Sequence, residues 1–134
     1  MALKTVLLFA AAMAAAITIP PAGAQEHGRV FELRTYTCYE GKLPDLLARF
    51  RNHTMRIFEK HGMTNIAYWV PLHHQNTLIY IIAHASREAA KKNWDEFRND
   101  PEWQKVQKDS EANGKIVSKV DSVFMDPTDF SPMK

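Results

Sequence analysis

Three side chains at alternate positions, Glu32, Arg34 and Tyr36, put a carboxylate, a guanidinium and a phenol on one side of an extended segment. The arginine offers a planar fork suited to a carboxylate or another oxyanion. Farther along, Tyr80 and His84 also share a parity, and a histidine beside a carboxylate can act as a general base near neutral pH. His84, Glu32 and Arg34 are therefore the candidate catalytic residues: His84 or Glu32 as base, Arg34 to stabilise an enolate-like anion. Glu32, Arg34, Tyr36, Trp69, Tyr80 and His84 form the candidate ligand-binding set. The same residues have a plainer reading. Glu32 and Arg34 can be a fixed ion pair on a wet sheet face, and His84 a histidine bonded to its neighbours at a strand end.

These groups need elements to position them. Phe31 to Tyr39 is β-branched and aromatic without Gly or Pro, which reads as a strand. Its period splits it into two faces. Phe31, Leu33, Thr35, Thr37 and Tyr39 are expected to pack under helices, with Glu32, Arg34, Tyr36 and Cys38 on the opposite side. Lys42 to His61 reads as an amphipathic helix closed by Gly62, with Pro44 tolerated in its first turn. Met63 to Leu72 and Thr77 to Ala85 are strands joined by the polar turn His73-His74-Gln75-Asn76. Ser86 caps a helix from Arg87 to about Asn99; Asp100-Pro101 starts another; Ile116 to Met125 is the last strand.

The order is β-α-β-β-α-β, the ferredoxin-like arrangement. It is an α+β fold with a four-stranded antiparallel sheet, helices on one face, and the first and third strands central. The third strand is apolar on both faces. Leu78, Tyr80 and Ile82, with Trp69 nearby, are expected on the helix-free side, where they need cover. A second copy packed sheet to sheet would supply it, giving a homodimer that encloses a cavity over the sheet beside Glu32, Arg34, Tyr36 and His84.

Composition narrows the function classes. Residues 1–24 carry a short basic start, an Ala-rich apolar run and the small-x-small site Ala22-Gly23-Ala24. That is a secretory signal pattern, with cleavage expected near Ala24-Gln25 and a periplasmic or secreted product. Residues 25–134 make one domain with no membrane segment after cleavage. The formal net charge of +2 comes from interspersed acids and bases, with no basic stripe for nucleic acid. A single cysteine, Cys38, gives no internal disulfide. The six histidines show no dense ligand spacing, so no metal and no cofactor are assigned.

Several segments carry a family resemblance. Phe31-Glu32-Leu33-Arg34-Thr35-Tyr36, Gly41-Lys42-Leu43, His61-Gly62-Met63, Tyr68-Trp69, Trp94-Asp95-Glu96-Phe97, Asp100-Pro101-Glu102-Trp103 and Phe130-Ser131-Pro132 together resemble the NIPSNAP domain. The resemblance covers nearly all of residues 25–134 and implies a dimeric α/β barrel. It implies no particular activity. The leading expectation is an exported homodimer that binds a small organic molecule. The alternatives are a cofactor-independent monooxygenase or isomerase, and a protein-interaction module without a ligand cavity.

Overall fold

The computed structural model describes residues 28–134. The expected signal segment, 1–24, lies outside the described residues. Strand β1 spans Val30–Cys38, β2 Thr64–Trp69, β3 Thr77–His84 and β4 Val117–Met125. They form one antiparallel sheet in the order β2-β3-β1-β4, so β1 and β3 are central as expected.

Helices α1 (Leu43–Arg49) and α2 (Met55–Lys60) are one continuous rod joined by a π-helical turn, Phe50–Thr54. The Met55 amide donates to the Phe50 carbonyl five residues back, and the Thr54 hydroxyl donates to the Arg49 carbonyl at 3.3 Å. Helix α3 (Arg87–Asn99) starts at Ser86, whose hydroxyl accepts from the Ala89 amide at 3.0 Å. Helix α4 (Pro101–Ser110) starts at Asp100, which accepts from the Glu102 amide at 2.8 Å. Asp100 also accepts from Lys60 and contacts His61, each at 2.7 Å, so one carboxylate clamps the end of α2 to the α3–α4 junction. Hydrogen bonds from Lys60 and His61 hold it below the usual carboxylate range.

The sheet faces are the reverse of the sequence expectation. In register, Glu32 lies opposite Ile82, Arg34 opposite Tyr80, and Tyr36 opposite Leu78. Leu78, Tyr80 and Ile82 are buried in the same core as Phe50, Ile57, Phe58, Trp94 and Phe97 of the helices. The face with Glu32, Arg34 and Tyr36 is thus the one the helices cover. The helix-free face carries Phe31, Leu33, Thr35 and Thr37, opposite Ala83, Ile81, Ile79 and Thr77. Polar residue types misled because their polar ends pair among themselves, while the arginine stem and tyrosine ring serve as core. The apolarity of both faces of β3 holds; the residues left uncovered are different ones.

A bulge on β2 adds to the correction. Asn65 pairs with Ile82 and Ala67 with Ile81, so Ile66 is the extra residue. Asn65 and Tyr68 therefore both point to the helix side, where Tyr68 donates to Asn65 at 2.5 Å. Trp69 is on the helix-free face, opposite Ile79, and about half exposed. At one end of that face Pro127 and Met133 of the C-terminal tail line a pocket with Phe31 and Ile81.

Candidate functional site

Glu32 is the centre of the buried polar cluster. At 1% exposure its carboxylate has to be matched by donors, and four reach it. Arg34 and the Ser122 hydroxyl both donate to Oε1 at 2.6 Å. The Trp94 indole donates to Oε2 at 2.7 Å, with the His84 Nε2 at 3.0 Å. Burial pushes the carboxyl up, but the hydrogen bonds from His84, Ser122, Trp94 and Arg34 outweigh it, leaving the pKa at about 2.

The tautomer of His84 follows from its neighbours. Asn93 Nδ2 lies 3.2 Å from the Gly62 carbonyl, which can only accept, so that end of the side chain is the amide nitrogen. The same nitrogen is 3.3 Å from His84 Nδ1 and must donate to it. His84 therefore carries its proton on Nε2 and gives it to Glu32. With both ring nitrogens engaged and the side chain fully buried, it has no lone pair to offer a substrate. Glu32 is equally saturated. Neither is placed to act as a base.

Arg34 has more freedom. Its guanidinium stacks 4.2 Å over the Trp94 ring, and NH2 reaches the Tyr36 hydroxyl at 3.4 Å. Nε is buried without a partner, as is the Tyr80 hydroxyl. Burial raises the Tyr80 pKa well above the ordinary phenol value, with neighbouring Tyr36 adding to the rise and Arg34 opposing it. The structure therefore brings Glu32, Arg34, Tyr36, Tyr80 and His84 together. Trp69 lies on the other side of the sheet and does not join them.

Beside this cluster is a pocket of about 300 Å³ that the sequence did not disclose. The helices cover β2, β3 and β1, but the helix-side residues Val120 and Ser122 of β4 stay exposed, so a wedge opens under α4. Its walls are aromatic: Tyr36 from β1, Phe50 and Phe58 from the first rod, Phe97 from α3 and Trp103 from α4. Arg49, Glu111 and Lys115 supply charge. The π turn shapes one wall, since Phe50 and Thr54 both line the pocket. Single-turn π segments recur at functional sites, but nothing in the residue pattern marks this one. Arg49 is 5% exposed; it donates to Ser110 at 3.2 Å and Glu111 at 3.4 Å, leaving Nε unpartnered.

A larger groove of about 610 Å³ runs between α1 and α4, lined by Asp45, Asn52, His53, Lys105 and Asp109 among others. It is open and highly charged, whereas small-molecule sites are mostly apolar with a few placed polar groups. Among the described residues no three His, Cys, Asp or Glu side chains gather as a metal ion would require. None of the described helices is long and apolar enough to cross a membrane.

The NIPSNAP family model matches residues 31–132, which take in the described strands but for Val30, and the described helices. The chain belongs to the NIPSNAP family. Solved NIPSNAP structures share the fold. One is a NIPSNAP family protein of unknown function from Agrobacterium tumefaciens, 21% identical, with TM-score 0.70 over 81% of this chain and 96% of that one. Another is an uncharacterised NIPSNAP-like domain protein from Burkholderia xenovorans, 17% identical, with TM-score 0.69 over 79% and 90%. Outside proteins named NIPSNAP, the fold is similar to a putative antibiotic biosynthesis monooxygenase from Chloroflexus aurantiacus. That chain is 10% identical, with TM-score 0.53 over 75% and 94%. At these identities the likeness shows the shared fold alone. No curated protein matches this NIPSNAP chain.

Proposed function

We propose that this NIPSNAP domain is an exported homodimer that binds a small organic molecule in the wedge between its helices and the β4 edge. The observation that carries the reading is the aromatic pocket of about 300 Å³, the lower end of the size common for ligand sites. In this reading the cavity belongs to each chain and lies on the helix side of the sheet, whereas the sequence expectation put it over the sheet between two copies.

The dimer part rests on the helix-free face. Leu33, Ile79 and Ile81 are half-buried there, and Val123 and Trp69 are more than half exposed. The apolar part of this face is the same surface on each copy, so two copies can close on it about a two-fold axis. Export rests on the sequence of residues 1–24. Ligand binding is favoured over acid–base catalysis because Glu32 and His84, the two candidate bases, are saturated by internal hydrogen bonds.

The test is mass spectrometry of small molecules released from natively purified protein, alongside Val120→Trp. Val120 lines the pocket and is 43% exposed, so the larger ring fills the opening without entering the core. A compound released from the parent and missing from the variant is the expected result. Equal retention by both would place the ligand elsewhere.

A further inference from the structure

The pocket reading leaves the chemistry of the ligand open, and the charged groups in the pocket wall bear on it. Arg49, Glu111 and Lys115 all line the wedge. They meet where α4 finishes. Arg49 Nη1 donates to the Ser110 hydroxyl and to Glu111. The Gly114 amide then donates to the Glu111 carbonyl at 3.0 Å, and this turn brings the chain back so that Lys115 joins the same wall.

Both cations have bonding capacity left over. The Arg49 side chain is buried, yet only one of its three nitrogens is engaged. Nε is buried without a partner; the adjacent Nη2 makes no hydrogen bond and, unlike Nε, is not sealed off. Native interiors rarely leave a buried donor idle, and each exception asks for an explanation. Lys115 is exposed and pairs with none of the described residues. The wall thus sets two cations against a single carboxylate, Glu111, which Arg49 already holds.

Arg49 also borders the open groove between α1 and α4. Charge separates its two sides. The groove sets three carboxylates, Asp45, Glu102 and Asp109, against Arg49 and Lys105. An anion is repelled from the groove and drawn to the wedge. The guanidinium is held in place beforehand by Ser110 and Glu111, with the Trp103 ring 5.3 Å away, so a ligand would not have to order it.

We propose that the wedge takes a flat apolar acid, with its carboxylate held by Arg49 and Lys115 at the α4 end. The rings of Phe50, Phe58, Phe97 and Trp103 take the apolar body. Arg49 Nη2 and Lys115 Nζ donate to the two carboxylate oxygens. This rests on the pocket reading and adds the ligand class to it.

The experiment titrates 2-naphthoate and its neutral counterpart 2-naphthamide into the parent protein, Lys115→Gln, Lys115→Glu, Arg49→Gln and Val120→Trp. Thermal melts check that each variant folds; the two Lys115 variants carry the test if Arg49→Gln does not. The parent should bind the acid about tenfold or more tighter than the amide. Lys115→Gln should narrow that gap, Lys115→Glu and Arg49→Gln should close it, and Val120→Trp should lose both compounds. Equal affinity for acid and amide would overturn the acid site and leave the pocket standing. An acid preference that survives Lys115→Glu would overturn it too, and one that survives Val120→Trp would put the anion outside the wedge. If neither compound binds, the acid site fails, while the pocket is judged separately by the compound released from natively purified protein.

Discussion

The Trp94 indole of α3 donates to Glu32 of β1 at 2.7 Å, with its ring under the Arg34 guanidinium at 4.2 Å. One side chain thus ties a helix to the central strand through a carboxylate and also fixes the cation that the carboxylate holds. Trp94→Phe keeps most of the ring packing but deletes the N–H. A hydrogen bond to a charged group is worth about 1.5–3 kcal/mol, so the variant should unfold at correspondingly lower denaturant. A midpoint equal to the parent's would show that Glu32 does not depend on the indole.

Glu32 should make the fold acid-sensitive in a definite window. Its folded pKa, about 2, lies below the ordinary value of 4.5. A depressed carboxyl contributes stability that is fully present above the ordinary value and lost as pH falls towards 2. The shift corresponds to about 3 kcal/mol. Glu32→Gln should lose this dependence and be about 3–5 kcal/mol less stable near neutrality, because an arginine is left without its partner. Chemical unfolding of both proteins between pH 7 and pH 2 measures this; parallel curves would count against it.

The His84 tautomer is open to direct observation. Nitrogen-15 NMR at neutral pH should show the ring proton on Nε2, because Asn93 donates to Nδ1. A proton on Nδ1 would mean that the bond to Glu32 runs the other way, and would reopen His84 as a base.

The two faces of the sheet should respond oppositely to charge. Trp69→Glu lies on the helix-free face and should give a folded monomer in sedimentation. Tyr80→Glu puts a carboxylate in a fully buried core position and should fail to fold. Dimers from Trp69→Glu would locate the subunit contact elsewhere.

Export has its own measurement. Protein recovered from outside the cytoplasm should begin at or near Gln25. An intact Met1 on exported protein would overturn the signal assignment.

Element order and strand order were readable because they depend on local punctuation: Ser86 and Asp100 as caps, Gly62 as a stop, β-branched runs between. The convergence of Glu32, Arg34, Tyr36, Tyr80 and His84 was readable from strand parity. Which way that face turns was not. Parity sorts residues into two sets without saying which set meets the helices, and polarity is a poor guide when a carboxylate is saturated by four internal donors. Trp69 was assigned to the wrong group for the same reason. The bulge at Ile66 shifts parity by one without any Gly or Pro to announce it. The pocket residues Phe50, Phe97 and Trp103 look like ordinary core in an amphipathic stripe. Only the missing helical cover over β4 turns their rings into a wall.

The π turn at Phe50–Thr54 is, geometrically, one surplus residue in a rod that would otherwise be α-helical. Deleting a solvent-facing member of that turn, such as Arg51, would let the rod close into a regular helix. Both flanks would keep their facing, because the π turn absorbs the surplus residue as a local widening where an unbroken α-helix would have turned one flank by about 100°. Leu46 and Arg49 before it, and Ile57 and Phe58 after it, would keep their faces, and only the turn from Phe50 to Thr54 would draw in. The width of the wedge at Phe50 and Thr54 therefore hangs on a single codon, and a chain without it would keep the fold while bringing that wall closer in.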